Sequence, residues 1–389
     1  MTPRRTVRML HLGLGGFFRA HQAWYTHHAS DRWGIAAFSN RSTALAARLT
    51  ARAGLYTLIT RAPDGDRSEV VESLVAAHPG GDHAAWLDYW RQPELAVVTL
   101  TVTEAGYAHA TPDDVGTLRA DPRAPVATAA ARLLAGLVAR REAGHGPVAI
   151  VPCDNLPGNG ELTERVIAEL AEATGHSAAA RHAAYVSTMV DRITPYPTEE
   201  DPTAVVTEPF TEWVLAGDFP AGRPAWEEAG ARFVADVTPY EDRKLRLLNG
   251  AHSMLAYAGP PRGHGTVAEA VADPVCRAWL AQWWEEASRG LDFPEAELAA
   301  YRDALLERFA NPRIRHTLAK IAENGLQKIT TRVLPVLRAE RERGRLPEGA
   351  IRILAAWLLH CPQAALADLG LADDGELVAA VARHSRELG

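Results

Sequence analysis

The sequence predicts an α/β protein: an N-terminal Rossmann-like dinucleotide-binding domain followed by a mostly α-helical C-terminal domain. Three observations predict it. The apolar run from Val7 to Leu12 ends in Gly13-Leu14-Gly15-Gly16-Phe17-Phe18 and leads into a helical pattern over 19–28. That is the strand, glycine turn, helix order of a dinucleotide fingerprint. Residues 95–102 and 147–152 are continuous apolar runs, as expected of strands buried on both faces of a parallel sheet. From Tyr240 onward strand patterns stop and helical periodicity runs to the C-terminus. A chain of 389 residues is too long for one ordinary core, so two domains are expected, 1–239 and 240–389.

Composition narrows the partners. The net charge of -7 is spread in mixed sign, with no basic stripe, which argues against nucleic acid. Arginines over 338–345 alternate with glutamates and read as a solvated helix face. Cys153, Cys276 and Cys361 are scattered and odd in number, which fits a reducing compartment and no metal spacing. No apolar run approaches the roughly 20 residues of a membrane span. Arg4 and Arg5 before an apolar stretch imitate a signal peptide, but glycines interrupt it. The stretch reads as strand and turn, and the protein as cytoplasmic.

Taken in order, Gly13 would make the tight turn and Gly15 would let the backbone approach a pyrophosphate, whose charge a helix N-terminus favours. Leu14, Gly16, Phe17 and Phe18 complete the candidate loop. Phe18 stands where the fingerprint has its third glycine, so an ordinary tight turn is the competing reading. The strand over 33–39 ends in Ser39-Asn40-Arg41-Ser42 with no carboxylate for the ribose hydroxyls. Asn40 and Arg41 are cofactor-binding candidates. Arg41 either receives a 2′-phosphate, favouring NADP, or sits on a surface turn. Residues 55–61 and 68–75 read as antiparallel strands around Pro63-Asp64-Gly65. After a helix at 86–90, the 95–102 strand leads to Thr103 and Glu104, two further cofactor candidates. Residues 112–125 read as loop and 127–141 as helix. The 147–152 strand ends in Cys153-Asp154-Asn155, at the end of a strand where open α/β sheets hold ligands. Asn155 either donates its amide to a substrate oxygen or caps the following helix. Strands follow at 183–186 and 204–206. Beyond residue 240, helices are expected at 274–288, 295–309, 314–324 and 351–360.

The second domain opens on Lys244-Leu245-Arg246-Leu247-Leu248-Asn249-Gly250-Ala251-His252. On a regular helix Asn249 lies roughly 140° and His252 roughly 80° round from Lys244, within one broad face that also takes Glu241. A lysine, an amide and an imidazole on one face suit chemistry at a carbinol or ketone carbon. The lysine moves the hydroxyl proton and the other two hold the oxygen. A capping lysine beside two satisfied core polar groups is the plainer alternative.

These pieces together resemble the polyol-specific long-chain dehydrogenases, the family of mannitol 2-dehydrogenase and fructuronate (mannonate) reductase. The similarity runs through 13–22, 100–107, 153–160, 187–195, the Lys244/Asn249/His252 helix, 308–312 and 324–328. It implies an N-terminal nucleotide-binding domain, a helical C-terminal domain, an active site between them and no metal. It implies Lys244 as general base, Asn155 and Asn249 polarising the oxygen, His252 orienting the substrate and Glu241 gating proton exit. It also brings Asp191, in Met189-Val190-Asp191-Arg192, into the cofactor set. The implied cofactor is NAD or NADP, and the implied substrate a polyol, ketose or sugar acid. Monomeric family members allow a monomer as well as a small homo-oligomer. A lysine base must shed its charge near neutral pH, through burial and the nearby oxidised nicotinamide. Asn324, Leu326 and Thr330 replace residues usual in the family, so a specialised or phosphorylated sugar is the alternative substrate. Arg315, His316 and Lys328 are weaker substrate-contact candidates.

Overall fold

A computed structural model describes residues 5–40, 43–195 and 201–388. The chain divides into two compact units, Met1–Thr238 and Pro239–Gly389.

The strands of the first unit are β1 (Val7–Leu12), β2 (Gly34–Phe38), β3 (Tyr56–Ala62), β4 (Gly65–Val71), β5 (Leu74–His78), β6 (Val97–Leu100), β7 (Val148–Pro152), β8 (Ala183–Tyr185), β9 (Ser187–Asp191), β10 (Val205–Thr207), β11 (Glu212–Ala216) and β12 (Arg232–Phe233). Six of them form one sheet in the order β5-β2-β1-β6-β7-β8, and every neighbouring pair is parallel. Counted along the chain within that sheet, the order is 3-2-1-4-5-6, that of the doubly wound dinucleotide-binding fold. The order reverses between β1 and β6, and such a reversal opens a crevice at the carboxyl ends of the strands.

Alternation along the strands explains the long apolar runs. Met9, Ile35, Ala37, Val97, Ala149 and Val151 face one core, which includes Phe18, Tyr25, Trp213 and Trp226. Leu10, Leu12, Ala36, Phe38, Val98, Leu100 and Ile150 face the other, beneath helices Ala129–Glu142 and Asn159–Thr174. Both sheet faces are covered, so both registers of a strand are mostly apolar. Two smaller sheets, β10-β3-β4 and β12-β11-β9, flank this arrangement.

Several sequence expectations are corrected. The single strand expected at 68–75 is two: β4 ends at Val71, and β5 starts at Leu74 as the edge of the parallel sheet. Ser73 makes the corner, its buried hydroxyl donating to the Ala23 carbonyl at 2.6 Å. The expected loop at 112–125 begins as a helix, Pro112–Ala120. Thr111 caps it, and proline and acidic residues in its first turn are start signals that the Pro- and Asp-rich composition concealed. The helix expected at 19–28 starts at Gly16 and breaks at His21, whose φ and ψ are -120° and -88°. The 338–345 segment is not simply a solvated face. Glu340 is 1% exposed and is held by Arg289, Arg343 and Arg345.

Among its described residues the second unit contains helices and no strand, only an isolated bridge between Thr266 and Thr317. Its central helix, Gly250–Ala258, is buried at every position and packs against Pro274–Ser288 and Glu348–His360. A helix surrounded on all sides needs no polar face. The expected 314–324 helix shrinks to Leu318–Ala322, and Asn324, at φ 57°, begins a new short helix.

Candidate active site

In the first unit the glycine turn sits at the crevice. Gly13 has φ +117°, and a Cβ there would lie 2.1 Å from the Thr101 carbonyl oxygen, so only glycine fits. Gly13 and Leu14 donate their N–H groups to the Phe38 carbonyl at 2.9 and 3.0 Å, tying the turn to the end of β2. Gly15 is different. Its backbone is extended, and a Cβ would meet nothing closer than the Gly13 oxygen at 3.6 Å. The protein's own packing does not require glycine at 15, which suits a position kept bare for a ligand to approach. Gly16 is similar, with Thr194 at 3.5 Å.

Phe18 occupies the third fingerprint position for a specific reason. It is fully buried and stacks on His11, ring centroids 3.7 Å apart and 11° from parallel. His11 in turn contacts Thr99 Oγ1 at 2.8 Å, and the Gly13 carbonyl and Thr101 Oγ1 at 3.1 Å each. Burial pulls its pKa down to about 3, so it is a neutral bracket under the turn. Arg19 braces the turn from the other side, its Nε donating to the Gly15 carbonyl at 3.1 Å. Phe17 stacks on His21. The sequence reading passed over His11 and Arg19, because a polar residue in or after a strand carries no signal of its partner.

Across the crevice, Thr103 has φ 66° and ψ 167°, a backbone region that non-glycine residues rarely enter. Asp154 holds it there. Oδ1 accepts the Thr103 N–H at 2.8 Å; Oδ2 accepts the Val102 N–H at 3.0 Å and the Tyr107 hydroxyl at 2.7 Å. Burial pushes the Asp154 carboxyl above its ordinary value, and these hydrogen bonds pull it part of the way back. Burial and the neighbouring Asp154 likewise raise Tyr107 strongly. Asp154 was missed in the sequence, although it adjoins Asn155.

Asn155 lies exposed in the turn after β7. The next helix starts at Asn159, with Gly158 at its N-cap position. Asn159 pins the turn, its Nδ2 donating to the Asp154 carbonyl at 3.1 Å and the Thr188 carbonyl at 2.8 Å. Asn40 is exposed, with Nδ2 3.5 Å from the Thr101 carbonyl. Glu104 is exposed at the start of a short 3₁₀ turn. Asp191 is buried at the end of β9, opposite Glu212, in a different sheet from the crevice strands. Arg41 lies outside the described residues.

In the second unit, Glu241 is half-buried in helix Thr238–Arg243. The regular helix expected over 244–252 is corrected: Lys244–Asn249 is a π-helical turn, followed by α-helix from Gly250. The Gly250 N–H reaches back to the Leu245 carbonyl. With i→i+5 bonding, Asn249 comes just over one full turn beyond Lys244 and closer to its azimuth than a regular helix allows. Side chains from other helices take up the displaced carbonyls. Trp283 Nε1 donates to Arg246 at 3.0 Å, and Trp284 Nε1 to Leu247 at 2.8 Å. Gly250 makes room, since a Cβ there would lie 2.4 Å from Trp283 Cζ2.

Lys244 is buried and Asn249 half-buried. His252 is buried against Phe309 and His316, ring centroids 4.8 and 4.9 Å away. Burial lowers its pKa well below the ordinary value, and His316, Arg308, Arg332 and Lys328 push the same way. His252 is therefore neutral, and its buried Nε2 has no hydrogen-bond partner. His316 is lowered too, and its Nδ1 is also unmatched. Lys328, whose Nζ donates to the Ile321 carbonyl at 2.8 Å, is lowered by burial and then by Arg332. Arg315 is exposed.

Two groupings among the described residues carry metal-type donors, His27-His28-Glu69 and His264-Asp273-Cys276. Their donors are engaged within the protein. His27 Nδ1 accepts the Glu72 N–H and His28 pairs with Glu69, while Asp273 pairs with Arg262 and His264. No helix among the described residues is long and apolar enough to cross a membrane.

A switch-point crevice with a bare glycine position suits a dinucleotide, and a buried lysine on the same helical stretch as an amide and a neutral imidazole suits proton transfer at a carbinol. The class is that of a nicotinamide-dependent oxidoreductase acting on CH–OH groups. Comparison with known proteins makes the assignment specific. Residues 7–228 match the mannitol dehydrogenase Rossmann domain and 236–369 the mannitol dehydrogenase C-terminal domain, so the chain belongs to the mannitol dehydrogenase family. It is 36% identical to D-mannonate oxidoreductase of Escherichia coli, over 92% of this chain and 80% of the relative. It is 34% identical to mannitol 2-dehydrogenase of Cereibacter sphaeroides, over 96% and 83%. The structure of Pseudomonas fluorescens mannitol 2-dehydrogenase with NAD and D-mannitol superposes with a TM-score of 0.77 at 32% identity, covering 91% of this chain and 79% of that one.

Proposed function

We propose that this protein interconverts a secondary alcohol and a ketone on a sugar acid or polyol, with Lys244 carrying the proton. The observation that bears most weight is the π-helical turn that sets Lys244 and Asn249 on one short, braced stretch of chain. Widened turns of this kind recur at functional sites. NAD or NADP would be held at Gly13, Leu14, Gly15, Gly16, Phe17 and Phe18, with Asn40, Arg41, Thr103, Glu104 and Asp191 as further contacts. The forced turn at Gly13 and the bare position at Gly15 fit that group. When bound, the nicotinamide accepts the hydride in oxidation and supplies it in reduction.

The chain's own residues do the rest. In oxidation, neutral Lys244 takes the hydroxyl proton on Nζ; in reduction, protonated Lys244 gives it to the ketone oxygen. The Asn249 and Asn155 amides donate to that oxygen as negative charge grows on it, each worth at most about 4 kcal/mol. His252, held neutral, orients a substrate hydroxyl. Glu241 passes the Lys244 proton toward solvent.

One observation favours an anionic substrate, a sugar acid or a phosphorylated sugar, over a neutral polyol. Arg308, Arg332 and Lys328 all bear on His252 and push its pKa down. The relationship to a D-mannonate oxidoreductase points the same way. The test is a matrix of NADH and NADPH against fructose, xylulose, fructuronate, tagaturonate and fructose 6-phosphate, followed by loss of reduced-nicotinamide absorbance. Fastest turnover on a ketouronate supports the sugar-acid reading, and on fructose 6-phosphate the phosphorylated one. Turnover of neutral ketoses alone removes both. Silence throughout, with cofactor bound, contradicts the proposed activity.

A further inference from the structure

The active-site turn has a counterpart that the reaction chemistry leaves unexplained. Ile329–Val333 is a second π-helical turn, in which the Leu334 N–H reaches back to the Ile329 carbonyl, and it packs against the Lys244–Asn249 turn. One side chain links them. Arg332 Nη1 donates to the Asn249 backbone carbonyl and to Ser253 Oγ, both at 3.2 Å. Ser253 Oγ donates to the same carbonyl, also at 3.2 Å. With Trp283 on Arg246 and Trp284 on Leu247, three carbonyls of the widened stretch are held from outside it. Two holders are neutral indoles. The third carries a fixed charge and fastens the residue whose amide is assigned to the reacting oxygen.

We infer that Arg332 is a positioning residue for the redox reaction, which sets the Asn249 amide by bridging the two π-helical turns through the Asn249 carbonyl and Ser253. The two N–H bonds of one guanidinium nitrogen lie in a fixed plane, so giving each its own acceptor fixes direction as well as distance, which a freely rotating lysine ammonium does less well. Burial lowers Arg332 to about 10, so it stays charged through the neutral range. Its place four residues after Lys328 sets both cations on one side of this segment, so the bridge also adds to the charge bearing on Lys328 and His252.

The inference rests on the role proposed above for Asn249, and a double-mutant cycle separates the two. Full-length wild type, Arg332→Met, Asn249→Ala and the double variant are compared for kcat, cofactor KM and melting temperature on the best substrate of the matrix. Arg332→Met is expected to lower kcat between about tenfold and a hundredfold, the scale of a small misplacement, with cofactor KM unchanged. Added to Asn249→Ala, it is expected to cost little more, because its route is already removed. Arg332→Lys should recover part of the loss. If Arg332→Met does not fold, Arg332→Lys and Ser253→Ala run the same cycle. Fully multiplicative losses, or wild-type kcat in Arg332→Met, overturn the inference while leaving Asn249 its role. Wild-type kcat in Asn249→Ala overturns that role and the inference with it.

Discussion

Asp154 has the clearest single task of any residue near the crevice. Three donors converge on its carboxylate, and they hold Thr103 in a conformation that costs on the order of 1–3 kcal/mol. Asp154→Asn would turn an amide N–H against donors that expect an acceptor. We expect a stability loss of about 1–3 kcal/mol and a rise in cofactor KM, read by thermal melting and steady-state kinetics. Tyr107→Phe removes one donor and leaves the carboxylate intact, so its effect should be smaller in both. Equal effects from the two variants would show that the clamp on Thr103 is not what matters. At this scale the sequence was uneven. Gly13 was legible because its residue type is itself the signal, and the forced φ explains the type. His11, Arg19, Asp154 and Arg332 were not, because their roles lie in partners 2 to 184 positions away along the chain.

The element that decides the chemistry is the π-helical turn, and its stability comes from outside itself. A regular helix would satisfy the same carbonyls internally, so the widened form needs the Trp283, Trp284 and Arg332 donors to compete. Gly250→Ala tests this, because the added methyl would sit 2.4 Å from Trp283 and push the indole off the Arg246 carbonyl. Despite alanine's better helix propensity, we expect a loss of about 1–3 kcal/mol by chemical denaturation, with a fall in kcat. A more stable, fully active variant would contradict this account of the turn. Periodicity over 244–252 correctly indicated a helix, but not its widening. Hydrophobic spacing cannot distinguish i→i+4 from i→i+5 bonding over a single turn, and Gly250 was the only local sign. The strands were legible where both faces are buried, as in β1, β6 and β7. The corner at Ser73 was not, since β4 and β5 run on in sequence while joining different sheets.

At the scale of the whole molecule, several histidines are held neutral by burial, His11, His83, His252 and His316 among them. Their folded pKa values lie below the unfolded one, so the unfolded chain takes up the protons. The stability they contribute is therefore complete above about pH 6.5 and is lost as pH falls below it, for His11 until about pH 3. Melting temperature should fall steadily from pH 7 to pH 4.5, and His11→Gln should be less stable at pH 7 but flatter across that range. A wild-type curve level down to pH 5 would refute this. The parallel-sheet unit and the helical unit were both foreseeable from pattern, because a doubly wound sheet and an all-helical segment differ in period along their whole length. The substrate was not, since it depends on how a few cations such as Lys328 and Arg332 are grouped in space. Whether Lys244 carries the proton is decided by comparing wild type with Lys244→Ala. Both are assayed for ketouronate-dependent oxidation of the reduced cofactor, with cofactor affinity measured separately by titration. The account predicts a kcat lower by about 10²–10⁴-fold with cofactor affinity retained; a Lys244→Ala protein that turns over like wild type would contradict it.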